Sequence, residues 1–427
     1  MSRGRRYFGT DGVRGRYGVD VTEDLVLRLG RAFALWSGGA PVLIGRDTRA
    51  SGPSLEVALS EGLASGGSDV RWGGILPTPA IPLLADACGA VISASHNPPE
   101  YNGVKFFADD GYKLSDTDEE AVELLLEEPP AEGGEPRWPE PDEGYGQRYV
   151  RVVCDRFGAP LDDLDVVCDC ANGAMSEVAP AAFERLGALV RPIGNEPDGT
   201  NINVGCGATD LSLLSRVVVE QGCSLGVAFD GDGDRMLAVD HAGSVVDGDQ
   251  ILAVLALHLG VDLVAVTTMT NLGFHRLMRE RGIRVVTTDV GDRYVVEALR
   301  RERGRLGGEQ SGHVVYLNGH TTGDGLVAAI LLARALVEQR RSLADLTSVL
   351  ALFPQVKANV VVRSKEIPAS LANEVARMNI ELGDTARVLV RQSGTEPVVR
   401  VLAEAESPEI AETLCGKIVA LVERELG

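Results

Sequence analysis

Apolar residues recur at near-helical spacing over Asp20–Trp36, at Leu25, Leu29 and Phe33, with Arg28 and Arg31 between them and Thr22 placed to cap the first turn. A short apolar run, Pro41–Gly45, reads as a strand that ends in the polar stretch Arg46-Asp-Thr-Arg-Ala-Ser-Gly52. A second helix is predicted over Ser54–Gly66, a second strand over Asp69–Gly73 and a third helix over Ala80–Ala87, after which Ala90–Ile92 reads as a buried strand end. Strands alternating with helices predict parallel α/β layering.

The texture recurs downstream. Val166–Cys170 is a predicted strand ending in Asp169-Cys-Ala-Asn-Gly-Ala174, and Leu225–Phe229 one ending in Asp230-Gly-Asp-Gly-Asp-Arg235. Leu263–Thr267 runs into Thr-Met-Thr-Asn271, and Arg305-Leu-Gly-Gly opens onto Glu309-Gln-Ser-Gly-His313. Each block places a polar, Gly-containing loop after its last strand, where open parallel sheets bind ligands. Glu127–Gln147, rich in Pro, Glu and Gly, reads as a linker or surface excursion. After about Ser348 the strands become β-branched and alternating, over Lys357–Arg363, Arg387–Arg391 and Val398–Ala403, and Pro408–Leu426 is an amphipathic helix. The fold expected is therefore α/β: three similar α/β domains with mixed, mainly parallel sheets, followed by a smaller α+β domain.

Composition narrows the function classes. A chain of 427 residues with 44% hydrophobic and 24% charged residues is globular rather than disordered. Its net charge of −21 repels nucleic acid and anionic membrane, so neither is expected as a partner. The acid excess also fits a chain solvated in concentrated salt, or a GC-rich genome that substitutes Arg for Lys. Lysine occurs only at positions 105, 113, 357, 365 and 417, which makes a lysine inside a polar motif a candidate for a specific role. The seven scattered cysteines read as buried thiols in a reducing cytosol, and Cys168-Asp-Cys170 lacks zinc-site spacing. No signal peptide is read at the N-terminus and Ile251–Met269, broken by His258, Gly260 and Asp262, reads as helix, turn and strand, so a cytoplasmic location is expected.

The candidate chemistry lies in the polar loops. Ser95 and His96 precede Pro98-Pro99, and Lys105 returns after what reads as an Asn102–Gly103 turn, supplying a nucleophile, a proton handler and a cation in one segment. Asp230, Asp232 and Asp234 alternate with glycines after an apolar strand. On an extended chain they share a face, and three hard oxygen ligands favour Mg²⁺, the alternative being a solvated acidic loop. Arg391-Gln-Ser393-Gly394-Thr395-Glu-Pro397, with Arg400 after it, offers a guanidinium, hydroxyls and a glycine amide, the donors a phosphate dianion needs. Glu309 and Ser311 suit sugar hydroxyls, His313 is a candidate proton handler, and Arg14 in Phe8-Gly-Thr-Asp-Gly-Val-Arg-Gly15 is either an anion contact or a surface charge.

Five segments together, Phe8–Gly15, Ser93–Lys105, Asp230–Arg235, Gly308–His313 and Arg391–Pro397, resemble the α-D-phosphohexomutase superfamily in order and spacing. The resemblance implies a heart-shaped protein with a central cleft and four domains: 1–147 carrying the catalytic serine, 148–246 the metal site, 247–350 sugar recognition and 351–427 phosphate binding. It implies that Ser95 carries a phosphoryl group and that Mg²⁺ bridges it to Asp230, Asp232 and Asp234. Glu309 and Ser311 would hold ring hydroxyls, with Arg235 and Arg14 stabilising charge. Arg391, Ser393, Gly394, Thr395 and Arg400 would cradle the substrate phosphate, and Lys105, His96 and His313 would be the acid–base candidates, joined by Arg14 as a catalytic residue. A sugar 1,6-bisphosphate would be intermediate and activator, the partner a small sugar phosphate, and the oligomeric state monomer or homodimer. Ser93, Gln310 and Thr321-Thr-Gly-Asp-Gly325 resemble the branch that interconverts glucosamine 6-phosphate and glucosamine 1-phosphate. A mutase of broad specificity for mannose and glucose phosphates is the nearer alternative. An aspartyl-phosphate phosphatase is disfavoured by Asp234, and a non-catalytic sensor by the completeness of the motifs.

Overall fold

Among the described residues, short aliphatic and β-branched runs form four sheets, and the polar segments that follow their strands carry the candidate chemistry. The protein is represented by a computed structural model that describes residues 6–9, 11–128, 142, 144–364, 366–392 and 398–427. In the first sheet Val13–Arg16 (β1), Val42–Arg46 (β2), Val70–Ile75 (β3), Cys88–Ile92 (β4) and Tyr101–Phe107 (β5) lie in the order β1-β5-β4-β2-β3. β2 runs parallel to β3 and β4, whereas β5 is antiparallel to both β4 and β1.

The second sheet repeats this plan with Asp165–Asp169 (β6), Leu189–Ile193 (β7), Leu225–Phe229 (β8), Met236–Asp240 (β9) and Val245–Val246 (β10), in the order β10-β9-β8-β6-β7. Here too a parallel centre carries an antiparallel edge. Leu263–Thr267 (β11), Arg284–Thr288 (β12), Leu306–Gly308 (β13) and Val314–Tyr316 (β14) form the third, in the order β12-β11-β13-β14. The antiparallel edges matter for function. A parallel connection needs a crossover, but β4 to β5 and β8 to β9 turn straight back and hold their loops in one place.

Local chemistry sets the helix ends. Thr22 accepts from Leu25 N at 3.2 Å at the start of Glu23–Trp36, and Ser115 with Asp118 forms a capping box on Asp116–Leu124. Gly248–Leu259 has its own box from Asp247 and Gln250 and stops at left-handed Gly260. The third predicted helix is shorter than expected, Ala80–Leu84. Ala85 is already extended (ψ 138°), because the chain must turn to enter β4 at Cys88. The end of the predicted linker is helical: Gly144–Phe157 buries Tyr149, Val150, Val153, Cys154 and Phe157. The core of the first block joins Phe8, Leu29, Phe33, Ile44, Ile92 and Phe106, with Phe33 stacked on Phe106 at 4.4 Å.

The chain forms two compact units, Met1–Thr268 with Val286–Thr347, and Met269–Val285 with Ser348–Gly427. In the second, Gln355–Val361 (β15), Ala386–Gln392 (β16) and Val398–Ala405 (β17) form an antiparallel sheet in the order β15-β17-β16. Val360, Val388, Val401 and Ala403 share a core with Leu414, Ile418 and Val422 of the helix Pro408–Leu426. A helix that the pattern reading does not assign, Ala369–Leu382, packs there through one narrow stripe. Leu371 is its one fully buried side chain and Ile380 lies open, so the apolar signal is thin.

Candidate active site

The β4–β5 connection presents the serine. β4 and β5 pair with Val91 opposite Lys105 and Ile92 opposite Val104, so Lys105 returns beside the strand that leads to Ser95. The reversal is made by residues 94–100, where Asn97 N donates to Ala94 O and Tyr101 N to Pro98 O. Asn102 and Gly103, expected as the turn, are instead strand residues of β5. Their partners on β1 are Gly15 and Arg14, and Gly103 O also accepts from Ser93 N at 3.0 Å, so strand pairing keeps them extended. Ser95 is buried with its Oγ donating to Asp230 Oδ2 at 2.5 Å, and His96 Nδ1 lies 3.3 Å from Ser95 Oγ. Ser93 Oγ accepts from Ser95 N at 2.9 Å and donates to Asp47 Oδ2 at 2.6 Å, so Ser93 supports the loop from beneath.

The three aspartates converge, but not as an extended strand. Gly233 N donates to Asp230 O at 3.0 Å, and Gly233 itself has φ 73°, so Asp230–Asp234 is a tight turn. Folding the segment brings one oxygen of each carboxylate within 4.8 Å of the others, all buried. Strand alternation would leave those side chains spread along a face; the turn gathers them onto one point. Thr78 reaches in from the first block, its N donating to Asp232 O at 2.8 Å and its Oγ1 to Asp232 Oδ2 at 2.6 Å.

Burial and like charge dominate this point. Burial first, then Asp234 and Asp232, pushes Asp230 up to about 7. Lys105, 1% exposed, donates to Asp232 Oδ2 at 2.7 Å and Asp234 Oδ2 at 3.1 Å and lies 3.1 Å from Asp11. Burial works against its charge, but Asp11, Asp232 and Asp234 outweigh it and raise the ammonium above its ordinary value. Asp232 Oδ1 is buried and accepts no hydrogen bond among the described residues, so a donor set of hard oxygens remains open to a cation beside the serine. The residues present fit a divalent metal of the Mg²⁺ kind.

A second ring of charge surrounds the first, and most of it was not singled out in the sequence. Asp11 pairs with Arg14 and, at 2.6 Å, with Lys113, which also meets Asp292 at 2.5 Å. His313 is buried between Asp234, 3.6 Å from Nδ1, and Asp292, 3.4 Å from Nε2. Burial lowers the His313 pKa, but these two carboxylates prevail and raise it. His96 goes the other way, to about 4, through burial and then the cations Arg235 and Arg14. The scarcity of lysine was the one available signal for Lys113. Asp11 stood in the Phe8–Gly15 motif beside its partner Arg14 but gave no sign of Lys113, and Asp292 carried no signal, because the Lys113 that meets both lies about 100 or more residues away along the chain.

The Glu309–His313 loop is tied to the aspartate turn. Met236 N donates to Gly312 O at 3.0 Å, and Glu309 Oε1 accepts from Gly291 N at 3.1 Å. Ser311 is exposed and Glu309 half-buried, so both remain open to a ligand, while Gln310 turns away to Asp247. Arg235 is half-buried, and its N donates to Asp230 Oδ1 at 3.1 Å. Gly323 packs so closely on His313 that a Cβ there would stand 2.1 Å from Nε2. Gly325 N in turn donates to Gly233 O at 3.0 Å.

In the second unit Arg391 on β16 lies directly opposite Arg400 on β17, and both line a cavity of about 390 Å³ with Lys357, Asn359 and Leu402. Ser393, Gly394 and Thr395, expected to complete a phosphate cradle, lie outside the described residues.

Family descriptions cover this arrangement domain by domain. Residues 5–131, 143–243 and 247–353 match phosphoglucomutase/phosphomannomutase alpha/beta/alpha domains I, II and III, and residues 333–421 match the C-terminal domain. A phosphoglucosamine mutase of Streptomyces griseus is 48% identical, the match covering 99% of this chain and 100% of the relative. The chain belongs to the α-D-phosphohexomutase family. A phosphoglucosamine mutase of Nocardia farcinica, another family member, is 47% identical over 98% of this chain and 99% of its own. A phosphoglucomutase/phosphomannomutase family protein from Burkholderia thailandensis shares the fold, with a TM-score of 0.84 at 23% identity over 98% of this chain and 97% of that one. The three α/β/α domains and C-terminal domain expected from the sequence are thus the family's architecture. Phosphohexomutases are isomerases, and this chain is an enzyme of that class.

Proposed function

We propose that the chain is a phosphoglucosamine mutase that interconverts glucosamine 6-phosphate and glucosamine 1-phosphate. The observation that carries the chemistry is Ser95 Oγ, 2.5 Å from Asp230 within a buried group of three carboxylates and a lysine. The substrate rests on near full-length similarity to proteins of that name.

In this reading Ser95 carries a phosphoryl group. A free hydroxyl of the sugar phosphate attacks the phosphorus, the new O–P bond forms as the Ser95 Oγ–P bond breaks, and the hydroxyl proton is taken up within the site. Oγ regains a proton and the sugar is a bisphosphate. After the sugar reverses its orientation, Ser95 Oγ attacks the other phosphorus, and the freed sugar oxygen takes the proton that Oγ gives up. Such a transfer asks for in-line positioning and charge neutralisation. Asp230, Asp232, Asp234 and Ser95 would hold Mg²⁺, which when bound supplies charge neutralisation at the phosphoryl oxygens. Lys105, His96, His313 and Arg14 handle protons and charge around Ser95, and Arg235 stabilises the transferring group. Glu309 and Ser311 grip ring hydroxyls, while Arg391, Ser393, Gly394, Thr395 and Arg400 hold the phosphate that is not reacting. The chain would then divide into a serine domain, 1–147, a metal domain, 148–246, a sugar domain, 247–350, and a phosphate domain, 351–427. Seven free and buried cysteines support a cytoplasmic setting.

A side-by-side assay with glucosamine, glucose and mannose phosphates, with sugar 1,6-bisphosphate and Mg²⁺ present, tests the substrate. The expected result is the highest kcat/KM for glucosamine phosphate. A clear preference for glucose or mannose phosphate would overturn the assignment.

A further inference from the structure

Ser95 has φ 52°, a left-handed conformation that a residue with a side chain adopts when its surroundings impose it. Two residues distant in sequence hold its carbonyl. Arg49, 1% exposed, follows β2 and is oriented by Asp47, whose Oδ2 accepts from Nε at 2.9 Å. Its Nη2 donates to the main-chain oxygens of Ser95 at 3.0 Å and Asn97 at 2.8 Å, and its Nη1 to that of Pro98. Asn203, from the second α/β block and itself at φ 60°, donates Nδ2 to the same Ser95 O at 2.9 Å and Asn97 O at 3.2 Å. Three loop carbonyls, those of Ser95, Asn97 and Pro98, therefore turn toward the guanidinium, two of them also meeting the Asn203 amide, while the Ser95 hydroxyl donates to Asp230.

Both donors are themselves fixed. Asp47 also accepts from Ser93, which receives Ser95 N, so one carboxylate ties the clamp to the loop at two places. Asn203 N donates to Ala171 O at 2.9 Å, and Thr48 Oγ1, beside Arg49, donates to Asn172 O at 2.6 Å. The first and second blocks are thus joined directly behind the serine. Gly231 completes the enclosure, since a Cβ there would meet Ser95 O at 2.7 Å.

We propose that Arg49 and Asn203 are positioning residues for phosphoryl transfer, holding the Ser95 loop through its carbonyls so that Oγ is aimed at the carboxylate cluster. The inference rests on Ser95 being the phosphoryl carrier. Neither residue touches the reacting atoms, and their effect comes from geometry, where a displacement of about 1 Å can cost about 10²-fold in rate.

The step to follow is transfer from a labelled sugar 1,6-bisphosphate to the dephosphorylated, Mg²⁺-loaded protein. Ser95 Oγ–P forms, the sugar O–P bond breaks, and the serine proton ends on the freed sugar oxygen. Labelling of Ser95 would be timed by intact mass and peptide mapping in wild type, Arg49→Met, Arg49→Lys and Asn203→Gly, the last keeping the left-handed backbone while removing the amide. The expected result is labelling slowed about 10- to 100-fold in Arg49→Met and Asn203→Gly, partial recovery in Arg49→Lys, and a KM for sugar phosphate within about twofold of wild type. Folded variants that label at the wild-type rate would overturn the clamp, whatever their melting temperature. Should the arginine variants not fold, Asn203→Gly decides alone. A wild-type protein labelled elsewhere than Ser95 would bring down the carrier reading and the clamp together.

Discussion

The carboxylate cluster around Ser95 and the arginine-bearing sheet of the second unit are both charged, yet they are built in opposite ways. Around Ser95 the groups are buried and drawn from segments more than 100 residues apart, as Lys105 Nζ and Asp232 are. In the second unit Arg391 and Arg400 are neighbours on adjacent strands and are only half-buried. Buried charges in a low dielectric interact strongly and cannot be moved cheaply, so the first region is fixed before any ligand arrives. Half-exposed guanidiniums keep much of their hydration and can bind and release a phosphate dianion at modest cost. The proposed mechanism needs both, a rigid point where phosphorus changes hands and a looser grip on a sugar that reverses.

The sharpest way to break the comparison is at Ser95. Ser95→Ala removes the proposed carrier and is expected to lower turnover by about 10³-fold or more while sugar phosphate still binds, as calorimetric titration would register. Undiminished turnover would end the mechanism. Arg391→Ala should have the complementary signature, KM for sugar phosphate raised about 10- to 100-fold with kcat changed only severalfold, because a grip on the non-reacting end acts alike in ground and transition states. A large fall in kcat at unchanged KM would place Arg391 among the chemistry instead.

Gly323→Ala sharpens the contrast between rigid and tolerant regions. The new Cβ would overlap His313, so kcat should fall about 10-fold, and a steady-state comparison showing none would mean that His313 can move without penalty. The smallest effect concerns stability. Burial, then Arg387 and Arg279, lowers His275 to about 4 from an ordinary value of 6.5. Between those values the unfolded chain binds a proton that the folded chain refuses, so stability falls as pH drops through that window. His275→Gln should flatten this dependence by about 1–2 kcal/mol in denaturant titrations at pH 7 and pH 4.5; an unchanged slope would show that His275 does not carry it.

Much of the architecture was legible because its causes are local. Leu225–Phe229, Leu263–Thr267 and Pro408–Leu426 stand where apolar periodicity places them, and Thr22 caps the helix it precedes. Ala369–Leu382 was missed because its buried stripe is narrow and its outer face carries Ile380. At the site, Ser95 and the three aspartates were visible as reactive types in polar loops after strands, and Lys105 as one of only five lysines. Arg49 was not, because a buried arginine between Asp47 and a distant loop looks, in sequence, like one more arginine in a chain rich in them.

By itself, then, the sequence determined the alternation of strands and helices, the loops that carry chemistry and the residue types gathered in each. These follow from periodicity, capping and turn propensity over a few neighbouring residues. Only the tertiary structure decided which groups meet. It folded Asp230–Asp234 into a turn, kept Asn102 and Gly103 in a strand, set His313 between Asp234 and Asp292, and placed Arg49 and Asn203 behind the serine. Those pairings depend on sheet register and on packing between blocks, and electrostatic energy, which varies with distance and burial, is set there.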